Sequence, residues 1–102
     1  MLDQSFRNLE RVAKKFESLE VLYSSYIRNS VTEYIFQNIL YDAWNDKKPY
    51  IPKNASEWDL GEGDDREEVA SILSETALEA VKELEILKYV KRYIDELTYR
   101  VV

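Results

Sequence analysis

The densest grouping of side chains that could do chemistry is DLGEGDD, where Asp59, Glu62, Asp64 and Asp65 bring four carboxylates within seven residues. Carboxylates held close together act as a paired general acid and base, or as oxygen ligands for a hard cation. The spacing here does not follow a calcium loop. A flexible acidic turn leading into a helix N-terminus accounts for it, because the positive end of the helix favours acids. The rest of the chain offers less. Its 102 residues include no histidine and no cysteine, which removes His- and Cys-based triads, thiolate metal sites and disulfides. Its two glycines, Gly61 and Gly63, are not followed by the Lys-Ser/Thr of a phosphate-cradling loop. The sequence therefore reads as non-enzymatic, with no cofactor and no metal site.

Two basic groupings bear on nucleic acid. Arg7, Arg11, Lys14 and Lys15 form a strip on one helix, and Lys88, Lys91 and Arg92 form a second cluster. The formal net charge is −6, and acids surround both groupings, so phosphate-driven binding is not expected. Pairing of these bases with the acids of residues 64–87, where eight acids face two bases, is the simpler use for them. What remains is aromatic surface. Eight tyrosines and two tryptophans are present, and both types serve as stiff, amphipathic contact anchors.

The elements that would position these residues are helical. Both prolines and both glycines lie between Pro49 and Gly63, so a breaker-rich connector divides two element-rich arms. In the first arm Leu2, Phe6, Leu9, Val12, Ala13, Phe16, Leu19, Tyr23 and Tyr26 recur at steps of three and four, which predicts a helix with one buried stripe and Asp3 as its N-cap. Ser30-Val31-Thr32-Glu33 has the form of a capping box and predicts a second helix from Val31 to Trp44. Its apolar residues cover nearly the whole circumference. Such a helix is either central to the domain or covered on one side by another chain. In the connector, Ser56 is placed to cap one helical turn, with Trp58 as a lid over the core and Gly61 closing the turn.

The second arm opens with Asp64 or Asp65 as cap and a stripe of Val69, Leu73, Thr76, Ala77, Ala80, Val81, Leu84 and Leu87. A further amphipathic segment carries Val90, Tyr93, Ile94, Leu97 and Val101 on one side. No breaker separates the two. They form either one long helix or, with a bend at Lys88 to Lys91, a second hairpin. The bend is preferred, since a straight helix of that length would overhang a small domain. A faint internal echo supports it: LEVLYSSYI at 19–27 resembles LEILKYVKRYI at 84–94, and both place an apolar residue, Val21 and Ile86, off the main stripe.

The expected architecture is thus all-α, a single domain of about four helices in two hairpins related by an approximate two-fold. The first hairpin would span 1–46, the connector 47–63 and the second hairpin 64–102. Val21, Tyr26, Ile86 and Tyr93 would either line a groove between the hairpins or simply pack one against the other. Tyr41 and Trp44 are further candidates for binding a partner.

The lack of Cys and His, the abundance of Glu, Lys, Ile and Tyr, and words such as NSVTEYIFQNILYDAW and LEILKYVKRYIDELTYR give the chain the character of a hyperthermophile protein. It resembles the small orphan proteins of filamentous viruses that infect hyperthermophilic crenarchaea. The resemblance implies action in an infected cell or in the virion and transfers no functional residue. No apolar run reaches the length of a membrane span, and the N-terminus lacks a signal-peptide layout, so an intracellular protein is expected. The expected function is a protein–protein interaction module that binds a peptide in the groove or self-associates through the second helix. The alternatives are a nucleic-acid-associated viral accessory protein or a virion structural protein.

Overall fold

The structure, a computed structural model, describes the backbone of residues 2–101 and the side chains of residue 7, residues 9–93, Asp95 and Glu96. It is all-α, with three helices and no strand among the described residues: α1 (Leu2–Ser24), α2 (Ser30–Trp44) and α3 (Arg66–Val101). An irregular connector joins α2 to α3.

The fourth helix expected from the sequence is absent. Residues 66–101 form one helix of 36 residues, about 54 Å long, and this sets the 56 Å long axis of the molecule. No bend interrupts it at Lys88 to Lys91, so there is no second hairpin and no pair of two-fold-related repeats. The physical reason lies in its residues. The segment has no glycine or proline, and the inward positions Val69, Leu73, Thr76, Ala80, Glu83, Leu87 and Val90 alternate in steps of four and three without a phase break. That is the spacing of a helix seam. Val90, just past the middle of the expected bend, is buried, so the seam is in use where the chain was expected to turn. Ile94, Leu97 and Val101 continue the steps in sequence, but their side chains lie outside the described residues. So do those of Leu2, Phe6 and Asp3, whose expected capping role falls within α1 itself.

Two ion pairs show how α1 lies on α3. Arg28, just after α1, reaches Asp65 at 2.6 Å, and Arg11 reaches Glu83 at 3.7 Å. The two helices therefore run antiparallel. Helix α2 runs alongside α3 in the same direction, with its first turn tied to the connector near the start of α3 and its last turn held by Lys88. The connector then travels back along α3, filling the side that a further helix would occupy.

Trp58 is fully buried at the centre of this arrangement, beside Phe36, which stacks in turn on Tyr23 with ring centroids 4.2 Å apart. It is an internal core residue, not a lid. Its indole N–H donates to Ser74 Oγ at 2.9 Å, and that hydroxyl faces the carbonyls of Pro52 and Ala70. A buried tryptophan needs such a partner. The turn that carries it is capped by Asn54, not by Ser56: Asn54 Oδ1 accepts from the Glu57 N–H at 2.9 Å. Gly61 takes a positive φ of 73° just beyond.

Asn29, one residue before the expected Ser30, caps α2. Its Oδ1 accepts the Thr32 N–H at 2.8 Å, and its Nδ2 donates to the Asp59 carbonyl. An amide can accept and donate at once, which a serine hydroxyl does with shorter reach. Buried Thr32 adds a hydroxyl bond to the Trp58 carbonyl at 2.8 Å. These bonds fasten α2 to the connector.

Glu83 is the misfit in the seam. It is 7% exposed, its Oε2 has no hydrogen-bond partner, and Arg11 at 3.7 Å is its charge partner. A buried pair this loose offsets little of its desolvation cost. Glu83→Leu is expected to stabilise the fold by about 1 kcal/mol, raising the thermal midpoint by a few degrees in a circular-dichroism melt. A lower midpoint would mean that the carboxylate contributes net stability.

Candidate partner-binding face

Helix α2 has too many apolar residues for one buried stripe, and the structure shows where the surplus goes. Thr32, Phe36, Ile39 and Ala43 are buried against α3 and the connector. The opposite side stays open. Val31 is 48% exposed, Tyr34 66%, Tyr41 62% and Trp44 41%. Steps of three and four along a helix put these residues on one face. Together with Gln37, Asn38, Leu40 and Leu84 of α3, the three aromatic residues line a shallow depression of about 460 Å³. Of the two arrangements the sequence left open, α2 is therefore the one with an uncovered side.

The two ends of this face differ in charge. At its C-terminal end Lys91 Nζ lies 5.8 Å from the Trp44 ring centroid, within reach of a cation–π contact. Beside it, Lys47, Lys48, Lys88 and Arg92 line a second depression of about 510 Å³ with Asp46, Glu85 and Tyr89. At the N-terminal end stand Glu33, in the first turn, and the acidic stretch that begins at Asp59, whose carbonyl Asn29 holds.

Asp46 organises the basic end. It takes φ of 61°, a left-handed conformation that aspartate tolerates better than most residues. There it ends α2 with backbone bonds from Asp46 N to the Ala43 carbonyl and from Lys47 N to the Asp42 carbonyl, the paired bonds of a Schellman ending. Its carboxylate then receives Lys88, which also donates to the Ala43 carbonyl at 3.2 Å, and Arg92 at 3.7 Å. The Lys88 hydrogen bond, then its charge, and more weakly Arg92 hold the Asp46 carboxyl below the ordinary range. The Arg28 hydrogen bond does the same for Asp65.

The residues expected to bind a partner are divided. Tyr41 and Trp44 share the open face. Val21, 70% exposed on α1, and Ile86 on α3 lie about 20 Å apart along the helix axes, given the antiparallel pairing. Tyr26 is half-buried against the core at the end of α1, and Tyr93 is half-buried toward the far end of α3. These four do not line one groove, because the hairpin that would have brought Ile86 and Tyr93 back does not form. Val31, Tyr34 and Leu84 complete the open face; the apolar excess of α2 points to the first two, while half-buried Leu84 belongs to the α3 stripe and reaches the face from its edge.

Among the described residues no group of three or more acids is placed to hold a metal ion, and no helix is long and apolar enough to cross a membrane. Asp65, from the acidic turn, is engaged by Arg28. No known protein family, curated protein or solved structure matches the chain.

The depressed carboxyls give a pH signature. Folded-state values below the unfolded ones stabilise the fold at pH above the unfolded value, about 4, and that contribution disappears as pH falls through the folded value. The midpoint difference between the wild type and an Asp46→Asn/Asp65→Asn variant is expected to be constant near neutrality and to shrink below about pH 4. A difference that does not change with pH would remove these two pairs as a source of stability.

Proposed function

We propose that the protein is a non-enzymatic protein–protein interaction module that docks a helical segment on the outer face of α2. One observation carries this reading: a contiguous strip of aromatic and aliphatic side chains stays exposed on the side of α2 opposite its buried residues. Large exposed apolar patches on small domains mark contact sites. Tyrosine and tryptophan, which dominate this one, are the residues that most often carry binding energy. A helix laid along α2 would place its own apolar stripe over Tyr34, Tyr41 and Leu84.

A nucleic-acid role has one observation in its favour, the four bases around the end of α2. Against it, Asp46 already engages Lys88 and Arg92. The resemblance to proteins of crenarchaeal filamentous viruses would place the partner in the infected cell or the virion, where a structural role would use the same face.

The test compares wild type, Tyr34→Glu/Tyr41→Glu and Val21→Asp in affinity capture with and without nuclease. All three are expected to keep their helical circular-dichroism spectrum, since the altered side chains are exposed. The double variant should lose at least ten-fold in captured polypeptide, about 1.4 kcal/mol, while Val21→Asp matches the wild type. Equal capture by all three contradicts the reading, and capture lost on nuclease treatment favours nucleic acid.

A further inference from the structure

The outer face of α2 has the same chemistry read in either direction. From Ser30 to Asn45 it runs small polar, apolar, tyrosine, amide, amide, tyrosine, apolar, small polar: Ser30, Val31, Tyr34, Gln37, Asn38, Tyr41, Trp44, Asn45. Each residue has its counterpart at the mirrored position about a centre between Gln37 and Asn38. A two-fold interface demands this arrangement, because residue i must suit residue j on the other copy while j suits i.

We propose that the occupant of this face is a second copy of the chain, with the two α2 helices packed antiparallel about a two-fold axis at Gln37 and Asn38. The proposal rests on the reading of the face as a protein-docking surface and names its partner. Tyr34 of each copy then lies against Tyr41 of the other, and Val31 lies level with Trp44 on the opposite flank of the pair. Asn38 meets its own equivalent at the axis, where two side-chain amides can each donate and accept.

Charge selects the same geometry. The acidic end of one α2, with Glu33 in its first turn, comes beside the basic end of the other, where Lys91 overlies Trp44 and Lys47 and Lys48 stand exposed. A parallel pairing would set acids against acids and bases against bases. The antiparallel pairing also places the positive N-terminal end of each helix beside the negative C-terminal end of its neighbour. The area is sufficient for a reversible association. The six central side chains expose on the order of 500 Å² per copy, so pairing buries on the order of 1,000 Å², about the minimum for a biological contact and within the range of weak, transient ones.

The chain has no cysteine, so single-cysteine variants report the geometry cleanly. Under mild oxidation Asn38→Cys is expected to form a covalent dimer at least ten-fold faster than Val21→Cys, an exposed site on α1. Tyr34→Cys alone should stay uncrosslinked, because its two copies lie about 10 Å apart along the axis, beyond disulfide reach. Tyr34→Cys/Tyr41→Cys should crosslink. Sedimentation of the unmodified chain should show a monomer–dimer equilibrium shifted toward monomer by Tyr41→Glu.

Crosslinking of Tyr34→Cys alone would overturn the antiparallel geometry, and Asn38→Cys reacting no faster than Val21→Cys would overturn the interface. A chain that stays monomeric while Tyr34→Glu/Tyr41→Glu still abolishes capture of another polypeptide overturns the second copy as occupant but leaves the docking face standing. A monomer whose capture is unaffected by those changes removes both.

Discussion

The 36 residues of α3 contain neither glycine nor proline, and their inward positions alternate by four and three residues from Val69 to Val90. This unbroken seam determines the rest of the molecule. α1 lies antiparallel along it, α2 runs beside it, and the connector returns over the remaining side with Trp58 inserted at the centre. Small buried side chains, Ala80 on the seam and Ala70 and Ala77 beside it, allow close approach of the neighbours and leave room for Trp58 and Phe36. Because α3 does not fold back, no fourth helix exists to lie over α2.

The open side of α2 is therefore a consequence of chain economy. A small domain has few elements with which to surround a helix that is apolar on every side. Here the supply runs out on the side of Tyr34, Tyr41 and Trp44. Polar bonds hold α2 at its ends: Asn29 and Thr32 fix its start to the connector, while Lys88 and Asp46 fix its end to α3. The helix is held at both ends, and Gln37 donates to the Tyr23 hydroxyl in its middle, so its outer face is in place before docking. Preorganisation of this kind lowers the entropic cost of binding.

Much of this was legible in the sequence. The helical class, the position of the connector and the anomalous α2 followed from periodicity and from the confinement of glycine and proline to residues 49–63. The small size of the domain favours a bend at Lys88 to Lys91, but no breaker stands there, and the in-phase steps from Glu83 and Leu87 to Val90 carry the signal of a continuous helix. The Val21 and Ile86 echo reflects two exposed apolar residues on separate helices, not two walls of a groove. The capping-box pattern points to Ser30 and not to Asn29, since it does not show that Asp59 waits on the other side of the amide. The local pattern puts Trp58 inward only as a lid, because its partner Ser74 lies sixteen residues away and no local pattern joins them.

The continuity of α3 is the claim on which the open face depends. Spin labels at Glu68 and Glu96, introduced as the only two cysteines of the chain, measure it directly by pulsed electron resonance. Both side chains are exposed, so labelling leaves the core intact. One unbroken helix places the two sites about 42 Å apart, with a narrow distribution. A separation below about 25 Å would mean that the chain turns back on itself, and the second hairpin, not an open α2, would describe the protein.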